Sequence, residues 1–376
     1  MSLHPDNAGR SGLLAKKPWQ WAVCVSFLFA ILAHLFALTN PLHNYDDIVA
    51  QPLGYGTGVY SGRWFLQTIG DKALKADMCY NLTALNGLML LLLLAISVGF
   101  LVSALNIRSR SLACVIGGLF LVFPTCASIM MFRFTAPYYG LSLLLAVFAA
   151  WVLGRFPGSL AVSVISIALS LGIYQSNVPL TISILVLMLL RDSLDGEHTL
   201  KDIILRGLYD CLALVLGLAL YYLAMQRMLK LWETDLLSYQ GLDTMGQISL
   251  SQLPGLLKSA FLTPLRLSSE NYCGLASNEL VRRLYLLLEI LCGVLLIWVW
   301  LTRRPKMLNW LASVVLLLLF PVAVGFVIIM CPSAGIYTLM VYSFAIFLCL
   351  PVVLFELIPG KNERQEGLRS VGKRQF

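Results

Sequence analysis

Ten apolar runs, most of them near the roughly 20 residues that a helix needs to cross a bilayer, constrain this chain more than any motif in it. They fall near Trp19 to Thr39, Leu82 to Leu105, Leu112 to Ser128, Pro137 to Gly154, Ser159 to Tyr174, Val178 to Leu190, Ile203 to Met228, Leu284 to Leu301, Met307 to Met330 and Ile336 to Ile358. A soluble domain has no use for so many. The composition agrees: 59% of the 376 residues are hydrophobic and only 12% are charged. The expected fold is an all-α polytopic membrane protein of about ten transmembrane helices, built as a single integral membrane domain over residues 1–376. The fifth and sixth runs are short, and only Gln175-Ser176-Asn177 separates them, so a re-entrant hairpin is the alternative there.

Cationic loops stay on the cytoplasmic side, which turns the positions of lysine and arginine into an orientation. With the N-terminus inside, residues 1–18, 106–111, 155–158, 191–202, 302–306 and 359–376 are internal. These segments hold sixteen of the 27 basic residues. Both termini are then cytoplasmic, with residues 359–376 a short basic tail. The net charge of +8 calls for no nucleic-acid partner, because the inner cations face anionic membrane lipid.

In this topology the inner loops are short and two outer segments are long, residues 40–81 and 229–281. Function concentrates where a compact chain spends such length. Leu253, Leu256, Leu257, Ala260 and Phe261 recur at helical spacing and predict an interfacial helix in the second loop. Arg63 to Ala76 mixes Trp64, Phe65, Ile69 and Leu74 with charges and predicts another. The first apolar run reads as a retained anchor, since Leu38-Thr39-Asn40-Pro41 offers no small-x-small cleavage site. Nine scattered cysteines contain no C-x-x-C pair, which argues against metal clusters and redox motifs. Cys79, Cys273 and Cys331 are the ones that can meet on the outer face.

The chemistry begins at Asn44-Tyr45-Asp46-Asp47-Ile48, just past the first run. Adjacent residues point about 100° apart on a helix, so Asp46 and Asp47 do not aim at one atom. One can take a proton from a hydroxyl while the other supports it, or the pair can hold a divalent cation such as Mg or Mn. The bland reading is that one of them caps a helix starting at Ile48. Ser61-Gly62-Arg63-Trp64 and Met131-Phe132-Arg133-Phe134-Thr135-Ala136-Pro137-Tyr138-Tyr139 add arginines beside aromatics on the same side. A guanidinium fork suits phosphate oxygens, and an aromatic face suits a sugar ring. Singly, each of these side chains also fits lipid snorkelling or an interfacial aromatic belt.

An acidic pair after the first span, S-G-R-W, an arginine-aromatic-proline-tyrosine segment and Tyr174-Gln175 closing a later span together resemble the Gtr type II membrane glucosyltransferases. The resemblance covers roughly the first 190 residues, and residues 229–376 match it in layout only. It implies a GT-C-like bacterial inner-membrane enzyme with a periplasmic site. Such an enzyme moves a glucosyl or other hexosyl residue from an undecaprenyl-phosphate-linked donor to a surface polysaccharide such as O-antigen. A donor-synthesising glycosyltransferase and a flippase would be its functional partners. Carried over, Asp46 or Asp47 is the catalytic base and Arg63 the donor-phosphate contact. Arg133 is a second phosphate contact, and Tyr45, Trp64, Tyr138, Tyr139, Tyr174 and Gln175 are substrate contacts. The lack of a Gly-rich nucleotide loop fits a lipid-linked donor. Acceptor-side candidates are Trp232, Glu233, Asp235, Tyr239, Glu270 and Tyr272. Within the spans, Arg206 and Asp210 sit four apart and can pair, while Glu289 lies one to two turns below the outer surface.

Two other classes are consistent with ten spans. A transporter or lipid flippase would carry its key charges deeper, at broken helices in repeated halves, which the sequence does not display. A membrane O-acyltransferase would use a histidine beside a carboxylate, as His43 stands beside Asp46 and Asp47.

Overall fold

A computed structural model describes residues 17–40, 42, 44–49, 58–73, 82–237, 248–332 and 335–358, and among these every regular element is helical. The first half contains α1 (Pro18–Ala33), α2 (Leu35–Thr39), α3 (Tyr45–Val49), α4 (Trp64–Thr68), α5 (Thr83–Ala104), α6 (Arg110–Leu121), α7 (Pro124–Met130), α8 (Ala136–Val152), α9 (Ser159–Ile173) and α10 (Val178–Asp195). The second half contains α11 (Leu200–Leu231), α12 (Leu253–Leu265), α13 (Glu279–Arg303), α14 (Met307–Val324), α15 (Phe326–Met330), α16 (Phe344–Phe347) and α17 (Leu350–Glu356). Local signals set several boundaries. Ser109 caps α6 by accepting from Leu112 N, Thr199 and Asp202 form a capping box on α11, and Asn278 caps α13. Each such cap stabilises its helix end by about 1 kcal/mol. Helices stand where the two interfacial ones are expected: α12, and α4, which runs on into a π turn at Ile69–Ala73, with residues 74–76 of the expected stretch outside the described residues.

Five helices are long and apolar enough to cross a membrane: α5, α10 with the 3-10 turn before it, α11, α13 and α14. The pair α6 and α7, bent by 45°, makes a sixth candidate, and α1, α8, α9 and the stretch from Phe344 to Glu356 are shorter apolar helices. The protein is a helical membrane protein. α9 packs mainly on α8 and α11, whereas α10 packs mainly on α14 and α8. The two are therefore not folded onto each other as a hairpin would be. α10 is almost wholly buried and forms the centre, while α11 and α13 turn rows of leucine, isoleucine and valine outward.

Four of the apolar runs are interrupted instead of continuous, which composition alone does not show. The first breaks at His34, the third before Pro124, the ninth at Gly325, and the last is divided into a 3-10 turn at Thr338–Met340, then α16 and α17. Breaking a helix in an apolar surround frees carbonyls that must find donors. Here the breaks serve one another. His34 Nε2 lies 3.0 Å from Leu121 O, Tyr342 Oη donates to Phe120 O at 2.7 Å, and Ser343 Oγ donates to Val324 O at 2.7 Å.

Side-chain bonds separate the connections into two ends. At one, Glu356 accepts from Arg108 N (3.0 Å), Arg191 Nη1 donates to Ala104 O (3.1 Å), Arg155 Nη2 to Ser103 O (3.3 Å), and Asn309 Nδ2 to His198 O (2.6 Å). At the other, Asp47 meets Phe134, Gln175 meets Ser61, and Leu237 N donates to Tyr60 O at 3.0 Å. Thr125 and Cys273 both bond to Thr338 there. All ten residues expected to form the site lie at this second end.

Candidate functional site

The acidic pair is held by its own short helix. α3 starts at Tyr45, so the cap is Asn44 and not either aspartate. Asn44 Oδ1 accepts from Asp47 N at 2.8 Å, and Asp47 Oδ2 accepts from Asn44 N at 3.4 Å, a reciprocal capping box. Asp47 is fully buried, and its Oδ1 accepts from Phe134 N at 3.3 Å. The helical offset then swings its neighbours outward: Asp46 is half-buried, while Tyr45 and Ile48 are 74% and 66% exposed. One carboxylate is buried against backbone N–H groups, and the other is half-buried.

Arg133 sits beneath this helix. It is fully buried, with Nη1 donating to Thr83 O at 3.2 Å and Nη2 to Ala37 O, while its own carbonyl accepts from Asn86 Nδ2 at 2.9 Å. The guanidinium thus ties the end of α2 to the start of α5. A side chain on Gly87 would put its Cβ only 2.9 Å from Arg133 Nη1, so glycine leaves the room this clamp occupies. Burial lowers the Arg133 pKa and the nearby Asp47 carboxylate pulls it back up. Arg133, expected as a phosphate contact, is placed as a strut under the acidic pair.

Arg63 stands on a different footing. It is half-buried, and its guanidinium carbon lies 5.3 Å from the Tyr174 ring centroid and 5.9 Å from that of Tyr139. The two rings stack at 4.5 Å with 29° between their planes. Cation–π contact of this kind is worth about 0.5–2 kcal/mol and fixes the arginine over the two rings. The backbone before it is pinned by Gln175, whose Nε2 donates to Ser61 O (2.8 Å) and to Tyr221 Oη (3.1 Å), while Tyr221 Oη donates to Gly62 O (3.2 Å). Gly62 has φ +70°, and a Cβ there would lie 2.6 Å from Gln175 Nε2, so both conformation and space require glycine.

The segment Arg133 to Tyr139 joins the two groups. Asp47 is anchored at Phe134 and Arg63 at Tyr139, five residues on. At the helical rise the anchors are on the order of 8 Å apart, and at full extension no more than about 18 Å. Tyr138 is buried in the same turn of α8. Trp64 is half-buried next to Phe65, with its indole Nε1 buried and unbonded among the described residues. Five expected site residues therefore converge, namely Asp47, Arg63, Tyr139, Tyr174 and Gln175, and Asp46 flanks them.

The acceptor-side candidates scatter. Trp232, Glu233 and Asp235 are exposed, Glu270 pairs with Arg266 at 3.3 Å, and Tyr272 stacks on Phe344 at 5.7 Å. Glu289 accepts from Ser268 at 3.0 Å. Tyr239, His43 and Cys79 lie outside the described residues, and Cys273 and Cys331 are free thiols. No group of three or more His, Cys, Asp or Glu gathers among the described residues. A cation on Asp46 and Asp47 would thus need further ligands from elsewhere. Sequence reading missed Tyr221 and Asn86, since both are single polar side chains in long apolar runs. A phenol or amide at the outer end of such a run was the available signal.

The described helices are those of a membrane protein whose charged and aromatic side chains gather at one end. The family model described as Glucosyl transferase GtrII matches residues 35–349, and the chain belongs to that family. It is thus a glycosyltransferase of the glucosyl transferase type, and the match extends well past the first 190 residues that carry the motifs. No curated protein and no solved structure matches it.

Proposed function

We propose that the protein transfers a glucosyl residue from a polyprenyl-phosphate-linked donor, with undecaprenyl phosphate the expected carrier, to a surface polysaccharide such as O-antigen. The observation that carries this reading is the Arg63 guanidinium on the stacked Tyr139–Tyr174 pair, with Asp46 on the helix that Asp47 anchors to the same segment. An acceptor hydroxyl gives its proton to the Asp46 carboxylate as its oxygen bonds to the anomeric carbon. The bond from that carbon to the lipid phosphate breaks, and the electron pair leaves with the phosphate. Arg63 offsets the charge gathering there. Asp47 and Arg133 are positioning residues. Tyr45, Trp64 and Tyr138 border the sugar, and a Mg or Mn ion on the acidic pair is the variant form of the site.

Counting the bent pair and the four shorter helices as spans gives ten. The nine connections then alternate between the two ends, in support of a GT-C-like topology. The basic connections put the opposite end in the cytoplasm of a bacterial inner membrane and the site in the periplasm. Nucleotide sugars do not reach that side, so a donor-synthesising transferase and a flippase would supply it. Residues 229–281 form the acceptor side. The test uses membranes with the full chain, polyprenyl-phosphate glucose or UDP-glucose, and polysaccharide acceptor. Transfer from the lipid donor alone, lost in Asp46→Asn, is expected. Transfer from UDP-glucose, or full activity of Asp46→Asn, overturns the reading.

A further inference from the structure

A cavity of about 650 Å³ opens at the end of the molecule opposite the candidate site, between the ends of α5, α8, α10 and α11. That is ample for a small ligand. Arg155, Arg191 and Arg206 line it, with Asp210 and with Trp151 and Leu205 as apolar wall. Its charges do not balance. Buried Asp192 takes both Arg191 and Arg206, and Arg155 makes a third cation, held over the Trp151 ring at 4.7 Å. Nη1 of Arg155, and Nε and Nη2 of Arg206, have no protein partner among the described residues. Burial first, and then Arg206 and Arg191, lower the Arg155 pKa, as expected where cations repel.

The cavity also holds an acceptor. Asp210 is 5% exposed, and its Oδ2 has no hydrogen-bond partner among the described residues. Arg206, expected to pair with it, goes to Asp192 instead. A buried carboxylate oxygen left without a donor is costly, so the site favours a ligand that supplies one. A ligand that satisfies everything on offer carries an anion for the arginines and, beyond it, an O–H or N–H donor for Asp210. From Leu205 at the cavity's edge, the adjoining face of α11 exposes Leu208, Leu212 and Val215, the surface that meets lipid chains.

We infer that this cavity binds a phospholipid headgroup, its phosphate on Arg155 and Arg206, its hydroxyl or amine on Asp210, and its acyl chains along the outer face of α11. The test is native mass spectrometry of the full chain with phosphatidylglycerol, phosphatidylethanolamine and phosphatidylcholine, the last having no donor on its headgroup. The first two should be retained at least tenfold better than the third. Arg155→Gln should lower their retention at least fivefold, and Arg155→Lys serves if that variant does not fold. Asp210→Leu should abolish the preference among the three while phosphate-dependent retention persists. Equal retention of all three by the unaltered chain, unchanged retention in the Arg155 variant, or displacement of lipid by an equimolar amount of glycerol 3-phosphate overturns the inference. The last result would assign the cavity to a soluble phosphate ester.

Discussion

The two ends of the helix bundle use the same kinds of charged residue in opposite ways. At the cation-rich end, charges mostly meet charges: Asp192 joins Arg191 and Arg206, and Asp195 lies 3.8 Å from Arg303. At the site end, charges meet dipoles and rings. Asp47 is held by N–H groups, Arg133 by carbonyls, and Arg63 by the faces of Tyr139 and Tyr174. A charge matched by a close counter-ion is spent on holding helices together. Around the site, backbone dipoles and ring faces also fix where each charged group sits, and Asp47 and Arg133 act on each other as well.

The largest effect should come from Asp46→Asn, which removes the half-buried carboxylate and leaves the bonds that Asn44 and Phe134 make to Asp47 in place. Transfer should fall by about 10²–10⁴-fold with unchanged thermal stability. Near-normal turnover in a membrane assay would break the distinction between the two ends at once. Asp192→Asn is the counter-experiment, because it leaves the partly buried Arg191 and Arg206 beside a neutral amide. Unfolding should become easier by about 3–5 kcal/mol while kcat per folded molecule holds. A stable but inactive variant would show that the cation-rich end takes part in the reaction.

Arg133→Met should behave like the second case although it lies at the site end, since it removes a clamp on Ala37 and Thr83. A loss of about 2–4 kcal/mol in stability, accompanied by lower activity, is expected from denaturation and rate measurements together. Arg63→Ala should cost about 10–100-fold in kcat/KM for the donor, and Arg63→Lys should recover only part, because a point charge lacks the planar fork. Equal activity of Arg63→Ala and the unaltered protein would remove the shelf from the site. The smallest effect belongs to Glu270→Gln. It breaks an exposed pair with Arg266 and should change stability by no more than about 0.5 kcal/mol.

Much of this was legible in residue order. The apolar runs located the helices, and the clustering of Asp46, Asp47, Arg63, Tyr139, Tyr174 and Gln175 was foreshadowed by charges and aromatics falling in connections on one side. The breaks at His34, before Pro124 and at Gly325 were not legible, because hydropathy averages over a window and a broken helix is as apolar as a straight one. The roles of the arginines were not legible either. Arg63 and Arg133 each stand beside aromatics in the sequence, yet one ends on an aromatic shelf and the other under the floor.

The sequence by itself determined that this is a helical membrane protein, which connections carry its polar residues, and to which family its motifs point, since bilayer thickness and backbone hydrogen bonding leave a chain this apolar few alternatives. Only the tertiary structure decided which aspartate is buried, which arginine is buried, and that Arg206 pairs with Asp192 and leaves Asp210 Oδ2 without a hydrogen-bond partner among the described residues. Those choices depend on where α3, α8, α10 and α11 meet. Contacts between residues far apart in the chain are set by packing, to which local composition is blind.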